Sequence, residues 1–478
     1  MNLEFESSGF ENAAAELRRT GVFMEEVLIK PKQNAVLQMR RKLGPFEHLL
    51  WLVDKWTIRN FVFVARIEGG SISVESLKTA LFQAQRRHPI LRAAIHVNGD
   101  GDPEFLPSSM PILVRIVRRA NNTQWLHEAE TQLAIPFEPN NRPRLRVVLV
   151  QGDAVSELIL VVHHSIGDGV SAMHLVRDLL KSIEGYELKE LPPRPALEDL
   201  VCSGATAPMN QLRRPNMGSN GVARFDRPQR ASPQIFQIEP DELDRVLLRC
   251  RQEGTTFNGA LLSALLLSLP GRETLQCLAP INARKLFPNM IEDFGLYISS
   301  GMATLDRNTT RDFWSLARSA RRQVMQAFNL NALQTKAVAM ASIVATRPNP
   351  QTTYERVWRN LGYNAVLTNH GKFPNMSELT HFRVTAAYPI LSPELEPVVA
   401  IATADQRAYI TVSSRLSWWV IHQSFSTCCD NNAGCGRKWE TYSGTTSDRA
   451  RVRVAILRRF QPLICTIARV RSASSLDR

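Results

Sequence analysis

Apolar residues recur at helical spacing in SVESLKTALFQAQRR, where Leu77, Ala80, Leu81 and Ala84 fall on one face. Ser73 stands where it can cap the first turn, and Pro89 forbids continuation. Leu91 to Val97 then reads as a strand. RLRVVLVQGDAVSELILVVHH reads as a hairpin, two β-rich runs joined through Gly152 and Asp153. Its second run ends at His163 and His164, and Val170 to Lys181 follows as a helix with Val170, Met173, Val176, Leu179 and Leu180 on its apolar face. Farther on, Asp241 to Glu253 and Phe257 to Leu269 have helical patterns. Strands are expected at Leu275 to Ile281, Asn364 to Leu367, Phe382 to Ala387, Val398 to Ala402 and Tyr409 to Ser413. The alternation of the two patterns predicts an α/β class with mixed sheets in both halves.

Between Tyr186 and Pro233 the periodicity stops, and seven of the chain's 27 prolines fall there. That texture marks a linker or long crossover between two folded regions. The expected organisation is a lead-in over 1–37, a first subdomain over 38–185, the crossover over 186–233, a second subdomain over 234–416 and a basic tail over 417–478. The tail lacks the alternation seen before it. It holds ten Arg and Lys against four Asp and Glu, so nearly half of the net charge of +13 sits in the last 62 residues. The remaining surplus fits solvated surface or an anionic substrate, and no zinc-finger or RNA-binding spacing supports a nucleic-acid partner. The seven cysteines are odd in number and absent from the first 200 residues, which argues for free thiols and against a disulfide framework. Cys428, Cys429 and Cys435 cluster without the histidine or second CxxC pair of a zinc site, so no metal is expected. With no apolar leader and no run long enough to span a bilayer, the expected location is cytoplasmic.

The candidate chemistry lies in LILVVHHSIGDGVSAMHLV, Leu158 to Val176. Successive strand side chains point to opposite faces, so His163 and His164 do not converge on one metal. One is expected to face inward and be held by hydrogen bonds, the other to face a cavity as a general base, since imidazole titrates near neutrality. Asp168, on a glycine-flanked turn, can orient the imidazole or pair with a distant cation, and spacing alone leaves both open. SIGDG and GDGVS are not serine-hydrolase elbows. His88, His174 and His381 read as packed or surface residues.

HHSIGDG resembles the HHxxxDG motif of the acyltransferases related to chloramphenicol acetyltransferase, which include condensation domains, polyketide-associated acyltransferases and alcohol acetyltransferases. RKLGPFEHLLW, RRHPILRAAI, GTTFNGALLSALL, PINARK and LTNHGK resemble further segments of that superfamily in the same order, over roughly residues 38 to 416. The resemblance implies two similar domains with mixed sheets and an active-site tunnel between them. It makes His164 the general base and His163 structural. It further implies that Asp168 forms an ion pair with Arg284 from the second half, that Gly169 allows the turn into the next helix, and that Asn369 borders the tunnel. DFGLYISSG, Asp293 to Gly301, reads as a structural loop.

The implied activity is O-acyl transfer from acyl-CoA to a small-molecule hydroxyl or amine acceptor, in secondary or lipid metabolism, with no permanently bound cofactor. The alternatives are a donor held on a carrier protein, and an inactive binding protein on the same fold.

Overall fold

The computed structural model describes residues 39–139, 141–203, 233–269, 273–306, 312–392 and 396–414. The lead-in, the tail with Cys428, Cys429, Cys435 and Cys465, and most of the crossover (204–232) lie outside the described residues. In chain order the strands are β1 (Arg41–Lys42), β2 (Asn60–Glu68), β3 (Ala93–Val97), β4 (Pro103–Pro107), β5 (Leu113–Arg118), β6 (Leu145–Gln151) and β7 (Val155–His163). The second half adds β8 (Gln234–Ile238), β9 (Thr274–Asn282), β10 (Ile298–Asp306), β11 (Ala365–Lys372), β12 (Arg383–Leu391), β13 (Val398–Ala404) and β14 (Arg407–Ser413). The α-helices are α1 (Pro45–Asp54), α2 (Val74–Arg87), α3 (Gln124–Leu133), α4 (Gly169–Ile183) and α5 (Leu197–Cys202). They continue with α6 (Pro240–Gln252), α7 (Phe257–Ser268), α8 (Phe313–Gln326), α9 (Leu330–Ala345) and α10 (Pro350–Val357).

Local chemistry sets most helix starts. The Ser73 hydroxyl accepts the Ser76 N–H at α2, Thr256 accepts the Gly259 N–H at α7, and Asp312 accepts the Ser315 N–H at α8. Pro89 ends α2 and opens a single 3₁₀ turn, Pro89–Arg92. The strand predicted from Leu91 therefore begins at Ala93.

Two mixed sheets form the framework. The first has the order β12-β2-β7-β6-β5, with only β5 and β6 parallel; the second is β10-β9-β11-β13-β14-β8, parallel where β11 meets β9 and β13. A small sheet, β1-β4-β3, flanks the first. β2 and β7 lie at the centre of the first sheet, and Phe61 to Ala65 and Leu158 to Val162 are almost wholly buried. Such strands are covered on both faces, which is why they read as continuous apolar runs.

The second half of the chain lends β12 to the first sheet, where it pairs antiparallel with β2. β12 also ties the lobes together: Tyr409 donates to the Thr385 carbonyl at 2.6 Å, Thr411 donates to the Pro389 carbonyl, and the Tyr388 and Tyr409 rings meet edge to face. The sheets thus share packing through β12, with a cavity where β7, β9, β10 and β11 converge.

Candidate active site

β7 delivers the histidine pair to the mouth of this cavity. It is held on one edge by β2, where His163 pairs with Asn60, and on the other by β6. His163 is the last residue of β7 and His164 the first of the turn, its N–H still held by the Arg59 carbonyl at 2.9 Å, and the two rings have different surroundings. His163 is buried; its Nδ1 accepts the Ser165 N–H at 3.1 Å and bonds the Ser165 hydroxyl at 2.7 Å. A backbone N–H can only donate, so the His163 proton resides on Nε2, which faces Asp54 Oδ2 at 3.4 Å. Burial alone would raise the Asp54 carboxyl, but His163 and the Arg59 N–H outweigh it and hold it below its ordinary value. His163 is thereby fixed on both sides.

His164 points the other way. Its ring lies deep in the protein yet keeps part of its surface because it lines the cavity. Nδ1 bonds the Gly167 carbonyl at 3.0 Å. A carbonyl only accepts, so Nδ1 carries the proton and Nε2 keeps its lone pair. Among the described residues no group hydrogen-bonds Nε2. Phe61 packs against the ring at 5.0 Å between centroids. Burial pulls the imidazole below its ordinary value, partly opposed by the Asp168 charge and the Gly167 carbonyl.

Asp168 is committed elsewhere. Oδ1 caps α4 by accepting the Ser171 N–H (2.9 Å) and its hydroxyl (3.1 Å), while Oδ2 accepts Arg284 Nη1 (2.8 Å) and the Tyr297 N–H (2.9 Å). Of the two roles open at the sequence level, the geometry supplies the distant cation. Arg284 is 1% exposed and also donates to Ser171 Oγ at 2.6 Å and to the Gly295 carbonyl at 2.9 Å. Burial alone would raise the Asp168 carboxyl, but Arg284 and these N–H donors hold it below its ordinary value. The DFGLYISSG segment closes this clasp with the Asp293 and Gly295 carbonyls and the Tyr297 N–H. It is a loop only to Tyr297, because β10 begins at Ile298.

Gly169 and Asn369 sit differently from expectation. Gly169 opens α4 without a positive φ, so conformational freedom is not its role. Its role is space: a Cβ there would stand 2.1 Å from His370 Nε2. The His370 ring is packed deeply enough for burial to push it down to about 4. Gly169→Ala is therefore expected to cost about 1–3 kcal/mol through overpacking, measurable as a lowered denaturation midpoint; an unchanged midpoint would show that the ring can move aside. Asn369 stands at the bulge of β11, where its Oδ1 accepts the Gly371 N–H at 2.9 Å, and it does not line the His164 cavity.

Of the remaining histidines, His88 is buried against Asp178 at 3.0 Å, His174 lies on α4, and His381 is exposed. Cys250 and Cys277 are buried and burial pushes both thiols up, Cys250 to about 11, so neither is a ready thiolate. Among the described residues no three His, Cys, Asp or Glu side chains gather as a metal site requires, and no helix is long and apolar enough to cross a membrane.

The cavity, of ≈ 180 Å³, is lined mostly by aliphatic side chains from both lobes. Its polar groups besides His164 include Arg59, Asn60, Glu198, Ser299 and Lys336, and the sequence reading missed all five. Two of them, Arg59 and Asn60, come from the start of β2, which the pairing of Asn60 with His163 places beside the histidine strand. Arg59 lies over the Trp358 ring at 4.8 Å. Burial and the nearby Glu47 charge push the Glu198 carboxyl up to about 7.

Residues 56–201 match the family model of the condensation domain, a span that includes both histidines and Asp168. The two mixed sheets and their arrangement are similar in fold to solved structures at 11–14% identity. This is the condensation-domain fold. A polyketide synthase associated protein 5 from Mycobacterium tuberculosis matches with a TM-score of 0.58 at 14% identity, covering 90% of this chain and 98% of that one. The TRI3 trichothecene 15-O-acetyltransferase from Fusarium sporotrichioides matches at 0.59 and 11% identity, covering 92% and 99%. In sequence, surfactin synthase subunit 2 of Bacillus subtilis (strain 168) is 28% identical over 174 residues, 35% of this chain but only 5% of the synthase. The sequence match thus spans a small part of a far longer protein, whereas the two solved structures are matched over 98% and 99% of their own chains.

Proposed function

We propose that this protein is an acyltransferase that moves an acyl group from a CoA thioester to the hydroxyl, or amine, of a small acceptor, with His164 as general base. The observation that carries the reading is the bond from His164 Nδ1–H to the Gly167 carbonyl, which leaves Nε2 basic at an apolar cavity between two lobes. Nε2 takes the acceptor proton as the acceptor oxygen attacks the thioester carbonyl carbon. The tetrahedral intermediate collapses with cleavage of the C–S bond, and the departing thiolate takes the proton back from the imidazolium. The Gly167 carbonyl stabilises the imidazolium while it holds that proton. Arg284, Asp168 and Ser171 fix the turn that carries Gly167 and so position the base.

A second reading keeps the chemistry but takes the acyl group from a carrier protein. The sequence match to surfactin synthase subunit 2, of which it covers only 5%, favours it. Free-thiol release separates the two: a panel of acyl-CoAs and the same acyl groups on a phosphopantetheinylated carrier protein are offered with mixed alcohols and amines. Acceptor-dependent release from acyl-CoA is expected. Release from the carrier alone would replace the CoA reading with the second.

The pH profile follows from the direction of the His164 shift. The neutral imidazole is the active form, and burial favours it. The base therefore stays competent below the 6.5 of an ordinary histidine, and the acid limb of kcat/KM is expected below that value. An acid limb above it would mean that a different group, or a different His164 environment, governs the step.

A further inference from the structure

On the second-lobe wall of the cavity, Lys336 of α9 reaches across to β10. Its Nζ donates to Ser299 Oγ at 3.2 Å and to the Ser300 carbonyl. Both serines line the cavity together with Lys336, which places the ammonium at the cavity wall. An ammonium has three N–H donors. Two are used by these oxygens, and among the described residues the third has no acceptor and the charge has no carboxylate within ion-pair distance. The surrounding wall is apolar, with Leu278, Pro280, Ile298, Leu333 and Met340. Burial alone pulls Lys336 below its ordinary value, and no charged neighbour of either sign contributes.

The other ionisable groups of the cavity do not compensate it. Glu198 accepts the Phe46 N–H at 3.1 Å and sits among acidic neighbours, Glu47 and Asp199. Arg59 lies against the Tyr354 and Trp358 rings. Lys336 is half-buried, so its ammonium gives up part of its hydration to an apolar wall and an anion arriving there would compensate it; Lys336 plays no part in the proton transfer at His164. We propose that Lys336 is a specificity determinant that binds a carboxylate carried by the substrate, so that the cavity selects an apolar molecule with a terminal carboxylate. The two serine oxygens hold the ammonium in place, and the third donor serves the ligand.

The inference rests on the acyl-transfer reading for its meaning in the reaction, but binding can be measured without turnover. Two matched pairs of ligands test it by calorimetry on the full chain. ω-Hydroxyoctanoate against octanol places the carboxylate on the acceptor, and glutaryl-CoA against valeryl-CoA places it on the acyl group. In the wild type, the carboxylate member of one pair is expected to bind about tenfold tighter, the size of one hydrogen bond to a charged group. The pair that shows the preference identifies the substrate that bears the anion. Lys336→Met should abolish the preference and Lys336→Arg should retain it, with melting curves confirming that both variants fold. No preference in either pair, or a preference that survives in Lys336→Met, overturns the inference. Thiol release without a carboxylate preference would leave acyl transfer standing and overturn only this inference. A Lys336-dependent preference without thiol release would do the reverse.

Discussion

Replacing His164 with alanine is expected to lower acceptor-dependent acyl transfer by about 10²–10⁴-fold, the usual worth of a general base, while the protein stays folded. The expectation of an intact fold follows from where the ring sits. His164 lines a cavity, so its removal leaves only the Gly167 carbonyl short of a partner, and water in the enlarged cavity can supply one. His163→Ala should behave in the opposite way. It strips the Ser165 N–H and hydroxyl and the Asp54 carboxylate of their shared partner inside the core, leaving buried polar groups unsatisfied. Denaturation and thiol-release assays on both variants separate the roles: His164→Ala keeps its stability and loses rate, whereas His163→Ala loses stability. Wild-type rates in His164→Ala would remove the histidine from the mechanism.

Arg284→Met is expected to cost about 3–5 kcal/mol of stability, the usual penalty for leaving one partner of a buried pair behind. Arg284 and Asp168 are each about 98–99% buried and lie 2.8 Å apart, in a clasp that joins α4 to the turn after β9. Without the guanidinium, Asp168 retains two backbone N–H donors but no countercharge, and the Ser171 hydroxyl and the Gly295 carbonyl each lose a donor. The double variant Asp168→Asn with Arg284→Met removes both charges, so it should be less destabilised than the sum of the single changes. Chemical denaturation of all three gives the coupling. A loss below about 1 kcal/mol in Arg284→Met would place the pair in the class of weak surface bridges. The pH dependence has a defined sign. Asp168 is held below its ordinary value in the folded state, so its contribution is complete above the unfolded carboxyl's pKa of about 4 and is lost as pH falls through the lower folded value.

The parts of the fold that depend on local chemistry were legible in the sequence. α2 announced itself through a capping residue and apolar spacing, α4 through apolar spacing alone, and β7 through an apolar run that stops at two imidazoles; that Asp168 caps α4 emerged only in the structure. Strand alternation predicted different surroundings for His163 and His164, although β7 itself ends at His163. The rest depends on contacts between distant residues. β2, Asn60–Glu68, is buried on both faces and shows no alternation, so nothing local marks it as the partner of the histidine strand. β12 reads as a strand, but its pairing with β2 spans most of the chain. Spacing gave the place of Asp168 and not its direction, and the Arg284 assignment came from family resemblance. Lys336 and Glu198 reach the cavity from helices whose sequence carries no catalytic pattern, and only their convergence in space singles them out.

The most direct test of the central claim is free-thiol release from acyl-CoA, followed with and without an alcohol acceptor, in the wild type and in His164→Ala side by side. Release that requires the acceptor, coincides with ester formation by mass spectrometry and is lost in the variant is the result expected of a His164 general base on a condensation-domain fold. Ester formation at equal rates in both proteins would contradict it.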